Sequence, residues 1–212
     1  RDLSPKSTLH RTKFVSFGEA YHGDTLGAIG VGGVDRFTSI FSPLTFESIR
    51  VPGPGMTASM SSTGDGGPRI DASSQHTTAA ATLSKLENLF KNRGDEIAAL
   101  IMEPLVQAAG GILVHPPGFL RAVRELTQKF NILLILDEIA VGFGRTGTMF
   151  ACEQEDVSPD ILCLGKGLTA GYLPMAATVT TAAIWKQFLG SHKDGRAFYH
   201  GHTFGGNPLA AA

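Results

Sequence analysis

Three continuous apolar runs constrain the fold of this chain more than any other feature of its sequence. They are IAALIM, ILLIL and ILCL, within Ile97–Pro104, Asn131–Glu138 and Asp160–Lys166. Runs of this length, without polar alternation, are typical of strands buried on both faces of a parallel sheet. Between the first two, Pro116–Phe130 has apolar residues at helical spacing. Strands that alternate with helices form βαβ units with right-handed crossovers and a sheet covered on both faces, so we predict an α/β fold.

Weaker patterns predict four further elements. They are a strand over Arg11–Phe17, a helix over Leu26–Val31 capped by Asp24 or Thr25, a helix over Thr78–Asn92 and a fourth strand of the sheet over Pro174–Thr181. Residues 53–77 are rich in Gly, Ser, Thr and Pro, and we interpret them as a surface loop or insertion.

The composition excludes several classes of protein. A chain of 212 residues with 42% hydrophobic content and a net charge of -1 is typical of one soluble domain. This charge gives no reason to expect nucleic acid or a membrane surface as a partner. Two cysteines make a poor disulfide framework, so we expect a cytoplasmic location, or a mitochondrial one in a eukaryote. No run is long enough to span a bilayer and no signal-peptide pattern is present.

Polar residues follow each of the three apolar runs. Glu103 follows the first, Asp137 and Glu138 the second, and Lys166, flanked by glycines, the third. Ligands of open α/β sheets bind beyond the carboxyl ends of the strands, so these side chains can converge on one small molecule. The alternative is a buried structural ion pair between Asp137 and Lys166, which would stabilise the fold only weakly. Their position beside glycines favours a site.

A lysine and a carboxylate at such an edge match one kind of cofactor chemistry. A desolvated lysine amine can form a Schiff base with an aldehyde. A carboxylate beside a pyridine nitrogen keeps that nitrogen protonated. Together they are the protein groups that pyridoxal phosphate catalysis requires, although this pair alone is not specific.

Four motifs in order make the pattern specific: EPLVQ…GG, LDEIAVGFGRTG, PDILCLGKGLTAGYLPMAA and HGHTFGGNPLAAA. Together they resemble the class III aminotransferases, fold-type-I enzymes that use pyridoxal 5'-phosphate. The resemblance implies a three-layer αβα large domain with a mainly parallel sheet. AYHGDTLGA, FACE and YHGHTFGGNPLA look most similar to the branch that converts 8-amino-7-oxononanoate to 7,8-diaminononanoate in biotin synthesis. Ala140, where many members have Gln, also resembles that branch, whereas Val141 and His202 replace its usual Thr and Pro.

The resemblance implies roles for five residues around the cofactor ring. Lys166 would form the Schiff base and then act as general base and acid. Asp137 would pair with the pyridinium nitrogen. Tyr21 would stack over one face of the ring and shape the substrate pocket, while Ile139 would pack on the other face. Glu103 would orient its neighbours. A half-buried tyrosine with no such role is the alternative for Tyr21.

Four further residues are implied at the edges of the site. Thr203, with the backbone of His202, would bind the cofactor phosphate of the neighbouring subunit, so the full-length protein is expected to be a homodimer. Gly201 would lie along the substrate and Arg145 near the pocket wall; turn capping or ion pairing is the alternative for Arg145. His200 and His202 have a zinc-like spacing without a third ligand nearby, so no metal site is predicted.

The resemblance also sets the expected extent of the chain and its partners. Residues 1–212 would form part of the cofactor-binding large domain, without the upstream Gly-Ser phosphate loop and the small C-terminal domain. The expected partners are a small-molecule amino donor and a keto acceptor. Two alternatives remain open: a class III enzyme acting on other ω-amino acids, of the ornithine or 4-aminobutyrate type, or a non-catalytic truncated remnant.

Overall fold

A six-stranded sheet forms the centre of the computed structural model, which describes residues 11–54 and 72–212. The strands of the chain are β1 (Lys13–Phe17), β2 (Ile49–Val51), β3 (Ile97–Met102), β4 (Val106–Gln107), β5 (Leu113–Val114), β6 (Leu133–Asp137), β7 (Ile161–Leu164) and β8 (Ala177–Thr180). The order in the sheet is β2-β1-β3-β6-β7-β8, while β4 and β5 form a separate hairpin. All pairs in the large sheet are parallel except β7 with β8. The predicted α/β fold with a mainly parallel sheet is confirmed.

Six α-helices accompany the sheet within the described ranges. They are α1 (Leu26–Val31), α2 (Asp35–Thr38), α3 (Ala72–Arg93), α4 (Phe119–Lys129), α5 (Ala182–Trp185) and α6 (Pro208–Ala211). Short 3-10 helices cover Ser39–Leu44, Ala151–Glu155, Lys166–Leu168, Lys186–Phe188 and His192–Asp194. Among residues 11–54 and 72–212, no helix has both the length and the apolar character needed to cross a membrane.

The main core lies between one face of the sheet and helices α3 and α4. Alternate residues of the central strands are almost fully buried on this face: Val15, Phe17, Leu100, Met102, Leu134 and Leu136. Leu86 and Phe90 of α3 and Leu120 and Val123 of α4 pack against them. Glu155 caps α4, since its two carboxylate oxygens accept the backbone N–H groups of Gly118 and Arg121, both at 2.8 Å.

The opposite face of the sheet faces α1 across a cavity of about 340 Å³. Its strand residues Phe14, Ile101, Ile135 and Cys163 are only half-buried. Helix α1 begins at the predicted residue and is capped by Thr25, whose Oγ1 accepts the N–H of Ala28.

The structure corrects the predicted boundary between the loop at 53–77 and the helix after it. Helix α3 begins at Ala72, so residues 72–77 are helical, whereas 55–71 lie outside the described residues. The extra turns have the sequence ASSQHT, without the spaced large apolar residues from which the helix was predicted. The short strand β2 and helix α2 were not predicted.

Candidate active site

A cavity of about 260 Å³ lies at the carboxyl edge of the sheet, beyond the ends of β1, β3, β6 and β7. Its lining residues are Tyr21, His22, Gly23, Glu103, Ala108, Ala109, Asp137, Ile139, Ala140 and Lys166. Five of the residues singled out in the sequence therefore meet here: Tyr21, Glu103, Asp137, Ile139 and Lys166.

Asp137 is the last residue of β6 and points to the sheet face opposite the main core. Its side chain is buried, and its two oxygens have different partners. Oδ2 lies 2.9 Å from Nδ1 of His22, and Oδ1 accepts the backbone N–H of Ile139 at 3.1 Å. Because a carboxylate can only accept hydrogen bonds, Nδ1 of His22 is the donor in this contact.

Lys166 lies just beyond β7 in a left-handed backbone conformation, with φ of +41°. It is exposed, so the described residues do not form the desolvated environment expected for it from the sequence. The glycines on either side are closely packed, and only at Gly167 would a side chain force its neighbour to move. A Cβ atom on Gly165 would lie 3.3 Å from Cγ2 of Ile139, and one on Gly167 would lie 2.8 Å from Cβ of Phe143. In the part of the chain that the structure describes, Lys166 forms no ion pair. The alternative of a structural Asp137–Lys166 pair is therefore wrong.

Glu103 joins two segments of the cavity wall. Its Oε1 accepts the backbone N–H of Tyr21 at 3.1 Å, and its Oε2 accepts that of Ala108 at 2.9 Å. Burial raises the pKa of Glu103, and its two backbone hydrogen bonds act in the opposite direction. The carboxylate thus fixes the segment after β1 against the segment after β3.

Tyr21 forms one side of the cavity and packs edge-on against Phe37, with ring centroids 5.8 Å apart. Burial, followed by the nearby carboxylate of Asp24, raises the pKa of Tyr21. The hydroxyl is therefore held in its neutral form more firmly than in a free tyrosine.

Four predicted site residues do not reach this cavity. Arg145, Gly201, His202 and Thr203 are exposed and do not line it. Arg145 lies in the turn after β6, and the other three precede helix α6. The role predicted for Thr203 concerns a neighbouring subunit, so it stays a prediction.

Sequence reasoning did not assign His22, Ala108 or Ala109 to the site. His22 is adjacent to Tyr21, and a histidine beside a candidate stacking residue is a usable signal. Its partner Asp137 is 115 positions away along the chain, so spacing cannot reveal the contact. Alanines carry no chemical signal at all.

Comparison with known proteins adds an independent observation. The family model for aminotransferase class III matches residues 3–212. An adenosylmethionine-8-amino-7-oxononanoate aminotransferase from Geobacter sulfurreducens is 47% identical over 95% of this chain and 43% of the relative.

Solved structures of transaminases share the fold. An adenosylmethionine-8-amino-7-oxononanoate aminotransferase from Methanocaldococcus jannaschii is 38% identical with a TM-score of 0.80, over 95% of this chain and 42% of that one. An amine transaminase from an uncultivated Pseudomonas species, in a PLP-bound form, is 34% identical with a TM-score of 0.81, over 95% of this chain and 43% of that one. The chain therefore spans less than half the length of these proteins, and it belongs to the class III aminotransferase family.

Proposed function

We propose that this chain is part of the cofactor-binding large domain of a pyridoxal-phosphate-dependent aminotransferase. The proposed reaction converts 8-amino-7-oxononanoate to 7,8-diaminononanoate in biotin synthesis. The names of the curated relatives support this substrate. The observation that carries the proposal is the placement of Asp137 and Lys166. Asp137 ends β6 and Lys166 lies just beyond the neighbouring parallel strand β7; both face one cavity, and they do not pair with each other.

The residues of the cavity fit pyridoxal phosphate. A carboxylate has about four lone-pair sites, and Asp137 uses one on each oxygen for His22 and Ile139. Acceptor capacity therefore remains for a ring N–H. The Lys166 amine is free of carboxylates among the residues described. The cavity volume of about 260 Å³ suits a single substituted pyridine ring better than a larger ligand.

Each residue then has a defined task. Lys166 would hold the cofactor covalently through Nζ and, once released by the substrate amine, move a proton to and from the substrate carbon. Asp137 would hold a proton on the ring nitrogen, because a nearby negative charge favours the cationic form. When bound, the protonated ring supplies an electron sink for the substrate carbon. Tyr21 and Ile139 would enclose the two ring faces.

The remaining predicted residues act at the edge of the site in this proposal. Thr203, with the backbone of His202, would bind the cofactor phosphate of a second protomer in a homodimer. Gly201 would lie along the substrate, and Arg145 near the wall. Their exposure in a single chain is compatible with contacts to a second one.

The first test uses the protein expressed from its complete reading frame. Addition of pyridoxal phosphate should produce an absorbance band at the edge of the visible range. Borohydride should abolish this band and fix the cofactor to Lys166, as located by peptide mass spectrometry. Absence of the band, or an identical band in Lys166→Ala, would contradict the proposal.

A second test separates the substrates. The purified enzyme is offered 8-amino-7-oxononanoate with adenosylmethionine or lysine as amino donor, and in parallel ornithine or 4-aminobutyrate with a keto acid. Formation of 7,8-diaminononanoate supports the proposed reaction. Turnover restricted to ornithine or 4-aminobutyrate would assign the enzyme to another branch of the class.

A further inference from the structure

Glu138 is a buried carboxylate for which the reaction described above has no use. It follows Asp137 directly and is 0% exposed. Its two oxygens accept the backbone N–H groups of Ala151 and Cys152, each at 2.8 Å. No cation pairs with it among the described residues, and burial raises its pKa. A carboxylate held in this way is costly to bury, so its position calls for a reason.

The hydrogen bonds of Glu138 close a loop, residues 139–150. Its side chain binds the first residues after the loop, Ala151 and Cys152. Its backbone carbonyl accepts the N–H of Gly142, within the loop, at 2.8 Å. Gly142 has to be small, since a Cβ there would lie 2.8 Å from that carbonyl oxygen. One residue therefore fixes both the beginning of the loop and its exit.

The same loop packs against both neighbours of Lys166. Ile139 lies against Gly165, and Phe143 lies against Gly167 so closely that a Cβ on Gly167 would be 2.8 Å from Cβ of Phe143. Phe143 is held in turn by an edge-on contact with Phe150, with ring centroids 5.6 Å apart. Lys166 lies between these two contacts in an uncommon left-handed conformation. Such a conformation persists only where the surroundings determine it.

We propose that Glu138 is a positioning residue for Lys166. Its carboxylate fixes the loop of residues 139–150, and Ile139 and Phe143 of that loop hold Gly165 and Gly167, and with them the Lys166 backbone. The side chain of Glu138 does not touch the cavity and acts only through the loop. The inference rests on the proposed function solely in taking Lys166 as the reactive amine.

Glu138→Gln tests the proposal, and Glu155→Gln is the matched control. The glutamine oxygen can accept one backbone N–H, but its NH₂ group then faces the other donor. Glu155 also accepts two backbone N–H groups at 2.8 Å, but these belong to the start of α4. Glu155 does not line the cavity. The readout is amide hydrogen exchange by mass spectrometry on the cofactor-free protein from the complete reading frame.

In Glu138→Gln, exchange should become about ten-fold faster both in residues 139–150 and in residues 165–168. In Glu155→Gln, faster exchange should be confined to the start of α4. Faster exchange at 139–150 with none at 165–168 would show that Glu138 holds only its own loop, and would overturn the proposal. These outcomes do not depend on cofactor binding or turnover, so they are independent of the proposed function.

Phe143→Ala keeps the proposal testable if Glu138→Gln does not fold. This change removes the ring of Phe143, whose Cγ and Cδ2 pack against Gly167 and which contacts Phe150, but leaves Cβ and the hydrogen bonds of Glu138 in place. We expect residues 165–168 to exchange faster and the acetylation rate of Lys166, relative to that of Lys186, which is also exposed, to change at least about three-fold. In the active enzyme, kcat should fall with little change in KM. If the exchange of residues 165–168 and the acetylation rate of Lys166 are both unchanged, Phe143 does not hold the Lys166 backbone and the proposal is excluded.

Discussion

His22 and His115 are both buried, but only His22 faces a carboxylate. The side chain of His22 is 2% exposed and donates from Nδ1 to Asp137. His115 follows the β4–β5 hairpin and packs edge-on against Phe119, with ring centroids 5.4 Å apart. Its buried Nδ1 has no hydrogen-bond partner among the described residues. One histidine therefore belongs to the candidate site, while the other belongs to the packing of the fold.

His22→Phe should impair the reaction more than it impairs folding. Phenylalanine preserves much of the ring volume but removes the donor to Asp137, and a hydrogen bond to a charged group contributes about 1.5–3 kcal/mol. If this hydrogen-bond energy is lost from the transition state, kcat of the complete enzyme should fall roughly 10- to 100-fold. His115→Phe is the matched control, with kcat within about two-fold of wild type. Similar kcat values for the two variants would contradict a role for His22.

His115 should also make the stability of this chain dependent on pH. Burial lowers the pKa of His115 to about 4 from its ordinary value of 6.5. Between these values the unfolded chain binds the proton and the folded chain does not, so stability falls as the pH falls. The loss is about 3 kcal/mol between pH 6.5 and 4. Urea unfolding over this range should show it in the wild type, and His115→Phe should remove that part of the slope.

At the scale of elements, the end of β1 and the segment after β3 are fitted to each other through backbone contacts. Glu103 links the two segments through Tyr21 and Ala108. A few residues on, a Cβ on Gly110 would lie only 2.3 Å from the backbone oxygen of Glu19. No side-chain rearrangement can relieve a contact with a backbone atom, so one segment would have to move.

Gly110→Ala is therefore expected to lower the free energy of unfolding by about 1–3 kcal/mol. Gly27→Ala is a suitable control, because a Cβ at Gly27 of α1 would meet nothing within 4 Å. Alanine in a helix is favoured over glycine by up to about 1 kcal/mol, so this control should be neutral or stabilising. The comparison uses urea unfolding of the two variants, and equal stability would contradict the tight contact.

The elements that the sequence predicts well are those specified by local patterns. The strands β3, β6 and β7 are continuous apolar runs, and α4 has an apolar face at helical spacing. Strand order is set by long-range pairing, for which no local pattern exists. The strand β8 runs antiparallel because residues 165–176 contain no α-helix to carry the chain back to the opposite edge.

The candidate site divides in the same way. Asp137 and Lys166 were predicted because each follows an apolar run, and the edge of a parallel sheet brings such residues together. Glu138 follows the same apolar run as Asp137 but does not line the cavity, because its side chain binds the backbone of Ala151 and Cys152, which no local pattern predicts. His22 depends on its contact with Asp137, which is remote in sequence, and residue type alone does not distinguish it from other buried polar groups.

At the scale of the whole molecule, the last part of the chain exposes many large apolar side chains. Trp185, Phe198, Tyr199, Phe204 and Leu209 are each more than half exposed. Soluble monomers rarely expose large contiguous apolar surface, and such surface is typical of an interface. Thr203 lies between Tyr199 and Phe204 in the sequence and is itself exposed, as expected for a residue proposed to serve the site of a second protomer.

Subunit complementation tests this arrangement directly. Lys166→Ala abolishes the amine of its own protomer, and Thr203→Glu should repel the cofactor phosphate from the site of the other protomer. Each complete enzyme variant should therefore be inactive alone. In a heterodimer of the two, both defects fall on one site and the other site is intact. After random exchange of equal amounts, roughly a quarter of all sites should be intact, so activity should recover to about that fraction. If Thr203 instead serves its own protomer, every site in the mixture keeps one defect and no activity returns.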